Sequence, residues 1–584
     1  MRKFSLKNTL VCIFLLSAVI LSGCKKDETV DTDTDTSGTE DTSQDTVQVN
    51  ESFVPLFGGE EEYVMLKTDS DGKYSDIIQN FVTSLRTMVG KKEIFAGSNY
   101  KTENAKEILI GNVSARKESV DVMKALPIDA YSIGFVGEKL VISAHTEEKL
   151  QSALYAFIDG LYQAESGEWG VDKSFSVYED ANEIKVDIPA FDTADGRLSG
   201  VYISNEDRNQ MAYKDATLEE YTAYNDKLKS AGYTVYSENQ IGENRYATYV
   251  NDTTEIHLMW YPSLENFRIV FAPKGYLPAT TVPQYDKLGD CTLTQIGRYG
   301  ASRSAAGESY VVQLEDGSFV VIDGGPYDER DVENLLQYMN DNKPASHAKP
   351  KVTWMITHLH NDHTALAVNF LNRKYNDIEL VALCYNFPDT DIYLKDSGCA
   401  AVSDVSGVLK KYPNAEKYVF HSGQTMKLPG CEIEFLYTQE DHWPNNFSTA
   451  NDTSAVWRMK FEGGDFLVLG DSESTPCKQI TTIYGDYLRS DILQLSHHGL
   501  NGATLEIYQA IDPKICFWPI DEERFSTDEK CLGTKTGFEF NKYLRETQWT
   551  RDTVTGDRTH YSASRTVTFN MKDMSVTTGP WLSE

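Results

Sequence analysis

Three of the chain's eleven histidines fall within six residues, in the run His358-Leu-His360-Asn-Asp362-His363. Neutral imidazoles with a carboxylate among them make the donor set that zinc takes, with positions left open for water. The run follows Val352-Thr-Trp-Met-Ile-Thr, an apolar and β-branched stretch that reads as a buried strand. In extended backbone alternate side chains share a face, so His358 and His360 can converge on one cation. The helical pattern that begins at Ala365 puts Asp362 and His363 at a strand-to-helix turn, within reach of a second cation close to the first. A centre of this kind deprotonates bound water near neutral pH and offsets charge developing at a phosphorus or carbonyl centre, so hydrolysis by metal-bound hydroxide is the expected reaction. Asp362 is also a candidate to orient the attacking water or pass a proton.

This HxHxDH run resembles the motif of the metallo-β-lactamase superfamily, and further parts of that pattern follow in order. Tyr310-Val-Val-Gln-Leu and Phe319-Val-Val-Ile-Asp323-Gly-Gly325 form a hairpin around Asp316-Gly317. Asp323 would orient a ligand histidine. Phe466-Leu-Val-Leu-Gly470-Asp471 matches the strand whose final aspartate bridges two metals, and Ile492-Leu-Gln-Leu-Ser-His497-His498-Gly499 the strand that delivers the last histidine. The resemblance implies that His358 and His360 hold one ion, that Asp362, His363 and one of His497 or His498 hold another, and that Asp471 touches both. His497 is favoured as the ligand, which leaves His498 to face substrate or stabilise the leaving group. One or two divalent ions are expected, zinc first, with manganese or iron as alternatives.

One departure matters. Where many family members place a histidine before the strand leading to the bridging aspartate, this chain reads Asn451-Asp452-Thr453-Ser454. The third ligand of the first site is then His442, Asp452, Asn451 or water. The NDTS segment, the bridging aspartate and the HHG ending resemble the subgroup containing the hydrolase domains of competence-type DNA-uptake channels and the phosphorylcholine esterases. His421 and His257 read as structural, and His560-Tyr561 could line the pocket.

The elements that must position these residues imply an α/β multidomain chain. The resemblance gives residues 286–584 as an αββα metallo-β-lactamase-type sandwich. Ahead of it, 186–285 reads as a small α+β domain: a helix over Thr217 to Ala231, closed by Gly232, then strand-like runs at Tyr233–Tyr236, Tyr246–Tyr249, Glu255–Tyr261 and Phe267–Phe271. Residues 52–185 alternate strand and helix, with apolar faces Ile77, Ile78, Phe81, Val82, Leu85 and Leu150, Ala153, Phe157, Leu161, and a hairpin around Gly137-Glu138. Its succession of ILIG, YSIGFVGEKLVIS and a helix resembles the non-catalytic N-terminal domain of some glycoside hydrolases, which implies an accessory role.

The start of the chain reads as an export signal over 1–23, with Arg2, Lys3 and Lys7 before the apolar run Leu10 to Leu21. Leu21-Ser22-Gly23-Cys24 resembles a bacterial lipobox, which implies a lipid on Cys24 and an anchor on the outer face of the bacterial cytoplasmic membrane. Residues 24–51 are too rich in Asp, Thr, Ser and Glu to bury a core and read as a solvated tether. Of the formal net charge of −33, +3 lies in the signal segment, −10 in residues 25–62 and −26 in the folded remainder. Such a balance repels phosphate backbones, so a nucleic-acid partner is disfavoured. Seven cysteines remain beyond Cys12 and Cys24, without CxxC spacing, and read as buried small apolar residues.

The expected activity is thus that of an extracytoplasmic hydrolase of a phosphodiester or related ester, its substrate in the cell envelope or its glycans. The alternatives are a nuclease acting on DNA, a glycan- or solute-binding lipoprotein with a relic metal site, and, more distantly, β-lactam hydrolysis. Composition does not indicate an oligomeric state.

Overall fold

The computed structural model describes residues 52–582 apart from 60, 69–73, 98–102, 127–129, 181–187, 192–196, 206–207, 279–284, 286, 300–306, 389–397, 444, 446, 448 and 546–559. The export signal, Cys24 and the acidic tether lie outside the described residues. The chain divides into two compact units, 1–183 and 184–584.

In the first unit a six-stranded sheet runs in the order Ala96–Gly97, Val64–Lys67, Glu107–Ile110, Lys139–Ala144, Ala130–Val136, Val177–Asp180. Its first four strands are parallel, and the last two add as antiparallel neighbours, beginning with the hairpin in which Val136 pairs with Lys139. Helices Ser75–Val89 and Glu147–Gly160 bury the apolar faces read from the sequence, Phe81 and Leu85 on one and Leu150 and Phe157 on the other.

In the second unit, helix Leu218–Ser230 begins at Thr217, whose hydroxyl accepts from Glu220 N while the Glu220 carboxylate accepts from Thr217 N. This reciprocal capping satisfies two amide donors that the helix itself cannot. The helix lies on a six-stranded antiparallel sheet ordered Leu198–Asn205, Arg208–Lys214, Asn266–Pro273, Thr254–Tyr261, Asn244–Val250, Thr234–Ile241. The last four strands answer the expected runs.

The remainder of this unit is built on two larger sheets. One has eight strands, ordered Glu416–Tyr418, Glu379–Cys384, Lys351–Met355, Phe319–Asp323, Ser309–Gln313, Thr292–Gln295, Arg565–Asn570, Val576–Trp581. The other has seven, ordered Thr425–Leu428, Cys431–Tyr437, Val456–Lys460, Asp465–Val468, Ile492–Gln494, Ile515–Trp518, His560–Ser562. Their facing sides share one apolar core, in which Tyr310, Val312 and Ile322 meet Phe435, Trp457, Phe466 and Phe517. Helices Glu329–Asn342 and Asn361–Arg373 cover the outer face of the first sheet, and Ser474–Tyr484 and Leu505–Ile511 that of the second. The result is a mixed α/β sandwich of two sheets between two helical layers. Six of the seven described cysteines are buried, Cys399 is partly so, and none is in a disulfide. Among the described residues no helix is long and apolar enough to cross a membrane.

Candidate metal centre

The C-terminal ends of three neighbouring strands in the two sheets converge on one cluster. Strand Lys351–Met355 lies parallel to Phe319–Asp323, and beyond it the chain runs through His358 to His360 before helix Asn361–Arg373 begins. Strand Asp465–Val468 lies parallel to Ile492–Gln494 in the opposite sheet, and delivers Gly470 and Asp471 while its neighbour delivers His497 and His498. Parallel pairing places all these loops at one end of the sandwich, where open α/β sheets carry their sites.

Asp471 stands at the centre, 1 % exposed. On one side its Oδ2 is 3.9 Å from His358 Nε2, which is itself 3.2 Å from His360 Nδ1. On the other, Asp471 Oδ1 is 3.2 Å from His363 Nε2, and Asp471 Oδ2 is 3.3 Å from His498 Nε2. His498 Nε2 also lies 3.3 Å from Asp362 Oδ2 and 3.4 Å from His363 Nε2. Thus His358, His360 and Asp471 form one set of donors within 4.8 Å of one another, and Asp362, His363, Asp471 and His498 form a second.

Asp323 fixes His363. Its Oδ2 accepts from His363 Nδ1 at 2.8 Å and from Thr357 Oγ1 at 2.8 Å, while Oδ1 accepts from Thr357 N at 2.8 Å. With a proton held on Nδ1, the imidazole directs its Nε2 toward Asp471, the nitrogen that would face a bound ion. Gly325 is required beside it: the residue has φ +80°, and a Cβ there would lie 1.0 Å from Nη1 of the buried Arg298.

The cluster's electrostatics follow from burial and crowding. Burial drives His358 well below the ordinary imidazole range, helped by the charge of His363. For His363 and His498 burial works the same way, but the carboxylates outweigh it: Asp471 and Asp323 raise His363 well above its usual value, and Asp471 with Asp362 holds His498 at about 9. Asp471 is held low by His498, His363 and His497 against the effect of burial. Four imidazoles and two carboxylates crowd together here, with ring nitrogens 3.2 to 3.4 Å apart and aimed at each other and at the oxygens of Asp471 and Asp362. A divalent cation satisfies such convergent acceptors, so the residues present fit metal ions.

The structure brings together His358, His360, Asp362 and His363, as their spacing implies, with Asp471, as the resemblance implies. At the HHG turn His498, expected to face substrate, is the buried histidine in the four-donor group, whereas His497, the favoured ligand, is 20 % exposed, with its Nε2 3.9 Å from Asp471 Oδ2 and its Nδ1 3.1 Å from Glu473 Oε1. The reason is backbone. The strand ends at Gln494, and both histidines adopt positive φ, 47° and 55°, so strand alternation no longer governs which ring points inward.

Of the candidates for the vacant histidine position, Asn451 lies beside His497 and Glu473, His442 is buried against Phe447 with ring centroids 5.0 Å apart, and Asp452 is buried nearby. His257 and His421 stack at 4.8 Å, away from the cluster, and His560 packs 4.4 Å from Phe525. Sequence reasoning missed Glu308. Its carboxyl is buried 3.7 Å from His363 Nδ1, forms a third acidic group with Asp323, and is pushed well above the carboxylate range by burial. An acid at the mouth of the apolar strand Ser309–Gln313 was its only sequence signal.

No family model matches the chain, and no curated protein matches it. Solved structures do. A metallo-beta-lactamase fold protein, YhfI from Bacillus subtilis, is 15% identical over 39% of this chain and 85% of its own, with a TM-score of 0.25. A long form RNase Z from yeast is 10% identical over 51% of this chain, with a TM-score of 0.29, and CmlA, a diiron beta-hydroxylase from Streptomyces venezuelae, is 14% identical over 42%, with a TM-score of 0.24. The chain spans about half the length of the last two, 50% and 45%. At such TM-scores the chemistry rests on the converging side chains and not on the likeness.

Proposed function

We propose that this chain is a metal-dependent hydrolase of the metallo-β-lactamase type, residues 286–584 forming the αββα hydrolase domain and 52–185 and 186–285 accessory domains. The observation that carries it is the position of Asp471, one carboxylate shared by two ligand sets. Divalent ions bound there supply Lewis acidity, which makes water nucleophilic near neutral pH and offsets negative charge at the reacting centre. His358, His360, Asp362, His363, Asp471 and His498 would hold the ions, and Asp323 fixes the orientation of His363. Asp362, whose side chain is 35 % exposed, is the carboxylate that meets solvent and orients the attacking water. His497 and Glu473, 20 % and 29 % exposed, are paired beside the centre on its solvent side.

Hydrolysis of a phosphodiester or related ester of the cell envelope, by a protein exported and tethered through lipid on Cys24, is the reading that the lipobox-like segment and the esterase-like motifs support. The folded charge of −26 weighs against a nuclease. The purified chain is expected to contain zinc, manganese or iron and to cleave a chromogenic phosphodiester, and Asp362→Ala with His363→Ala should abolish cleavage while circular dichroism stays unchanged. Metal uptake without turnover of phosphodiesters, esters or lactams would instead favour a binding protein.

A further inference from the structure

We propose that the amide oxygen of Asn451 is the ligand that takes the place of the absent histidine and completes the set formed by His358, His360 and Asp471. The inference rests on the metal-centre reading above and deepens it.

Asn451 opens the turn Ala450–Thr453, and this turn is fastened to the ligand-bearing strands on both sides. Ala455 N donates to Thr357 O at 3.0 Å, next to His358, and Ser454 Oγ accepts from Asp471 N at 3.0 Å. The side chain is 4 % exposed. Its Nδ2 donates to Glu473 Oε1 at 3.2 Å and lies 3.3 and 3.4 Å from the two ring nitrogens of His497. Only the hydrogen-bearing end of an amide can face a carboxylate, so Glu473 determines which end of Asn451 points where. The carbonyl end is turned away from Glu473, and Oδ1 is buried without a hydrogen-bond partner among the described residues. A buried acceptor left this way is unfavourable unless something meets it.

The two ligand sets differ in what they lack. Asp362, His363, Asp471 and His498 already give four donors, whereas His358, His360 and Asp471 give three. A neutral oxygen from Asn451 supplies the fourth. Of the alternatives, His442 is stacked on Phe447 with ring centroids 5.0 Å apart. Two imidazoles, a carboxylate and an amide oxygen make a harder set than three imidazoles and a carboxylate, so this position should hold its ion less tightly and discriminate less against manganese or iron.

The test is cobalt(II) titration of the chelator-stripped full chain, followed by calorimetry and by the visible bands of the bound ion. Wild type should take two equivalents, one weaker than the other. Asn451→Ala should weaken the weaker equivalent at least about tenfold and leave the tighter one alone, a loss at the lower end of what disturbed ligand shells show. Asn451→His should tighten that same equivalent and move its bands to higher energy as nitrogen replaces oxygen. If Asn451→Ala does not fold, the band shift of Asn451→His decides by itself. Unchanged affinities and bands in both variants overturn the assignment, as does uptake of one equivalent indifferent to position 451. A wild-type chain that takes up no ion sinks the metal-centre reading itself.

Discussion

Asp323 touches neither ion nor substrate in this arrangement, yet three hydrogen bonds converge on it, and one of them decides where His363 points. Asp323→Ala frees that imidazole to rotate and change tautomer. It should lower metal affinity about 10- to 100-fold, read by competition with a chromophoric chelator. Gly325 is as constrained. Gly325→Ala combines a left-handed backbone with a collision against Arg298, and should destabilise the second unit by about 2 kcal/mol or more in urea denaturation. At this scale the sequence was legible wherever ligands sit a few residues apart on regular backbone, as in His358, His360, Asp362 and His363. It was not legible at His497 and His498, where two consecutive positive φ values exchange the inward and outward rings. Glu308 was hidden because its neighbours Asp323 and His363 are distant in the chain and no local spacing announces it.

Among the elements, helix Leu218–Ser230 and the strands that follow it were readable from a capping residue, a terminating glycine and aromatic alternation. Strands Leu198–Asn205 and Arg208–Lys214 were not, since Arg208, Asn209 and Gln210 look like surface residues. All three are buried, and Arg208 and Gln210 place their donors on main-chain carbonyls of another part of the unit: Arg208 Nη2 donates to Phe387 O at 2.9 Å and Gln210 Nε2 to Glu440 O at 2.9 Å. The same sheet holds His257, which bonds Thr248 Oγ1 and Ser422 O and stacks on His421 near Glu440. Burial, together with the charge of His421, depresses His257 to about 3. Between about pH 6.5 and 3 the unfolded chain therefore binds a proton that the folded chain refuses. Stability is complete above this window and is lost as pH falls through it, by up to about 1.4 kcal/mol per pH unit for this group. Denaturation midpoints measured at pH 7.5 and 5.5 should differ less in His257→Gln than in wild type.

For the whole molecule, each unit has its own apolar core, and the ligand residues lie in the second alone. Stripping the ions should lower the thermal midpoint reported by a probe in the second unit, by an amount that grows with the logarithm of metal concentration on restoration, and leave a probe in the first unit unmoved. The sandwich was legible through the resemblance carried by the HxHxDH run and by the apolar strands leading to Asp323, Asp471 and His497. Its attachment to the smaller sheet was not, because the apolar side of the joint, Ile241, Met259 and Val270 against Leu436 and Leu467, is assembled from distant stretches and is edged by polar residues that look like surface.

That joint has a consequence for how such a protein can diversify. Arg268 Nη1 donates to the carbonyls of Glu440 and Trp443 at 2.7 and 2.6 Å, and its Nη2 donates to that of Asp441 at 3.1 Å. A clasp on carbonyl oxygens senses the path of the main chain and is blind to the side chains hung on it. The clasp thus leaves drift open over evolutionary time, but not at Asp441 itself, whose side chain accepts from Tyr261 Oη at 2.6 Å, so a change there calls for a matching change in the smaller sheet.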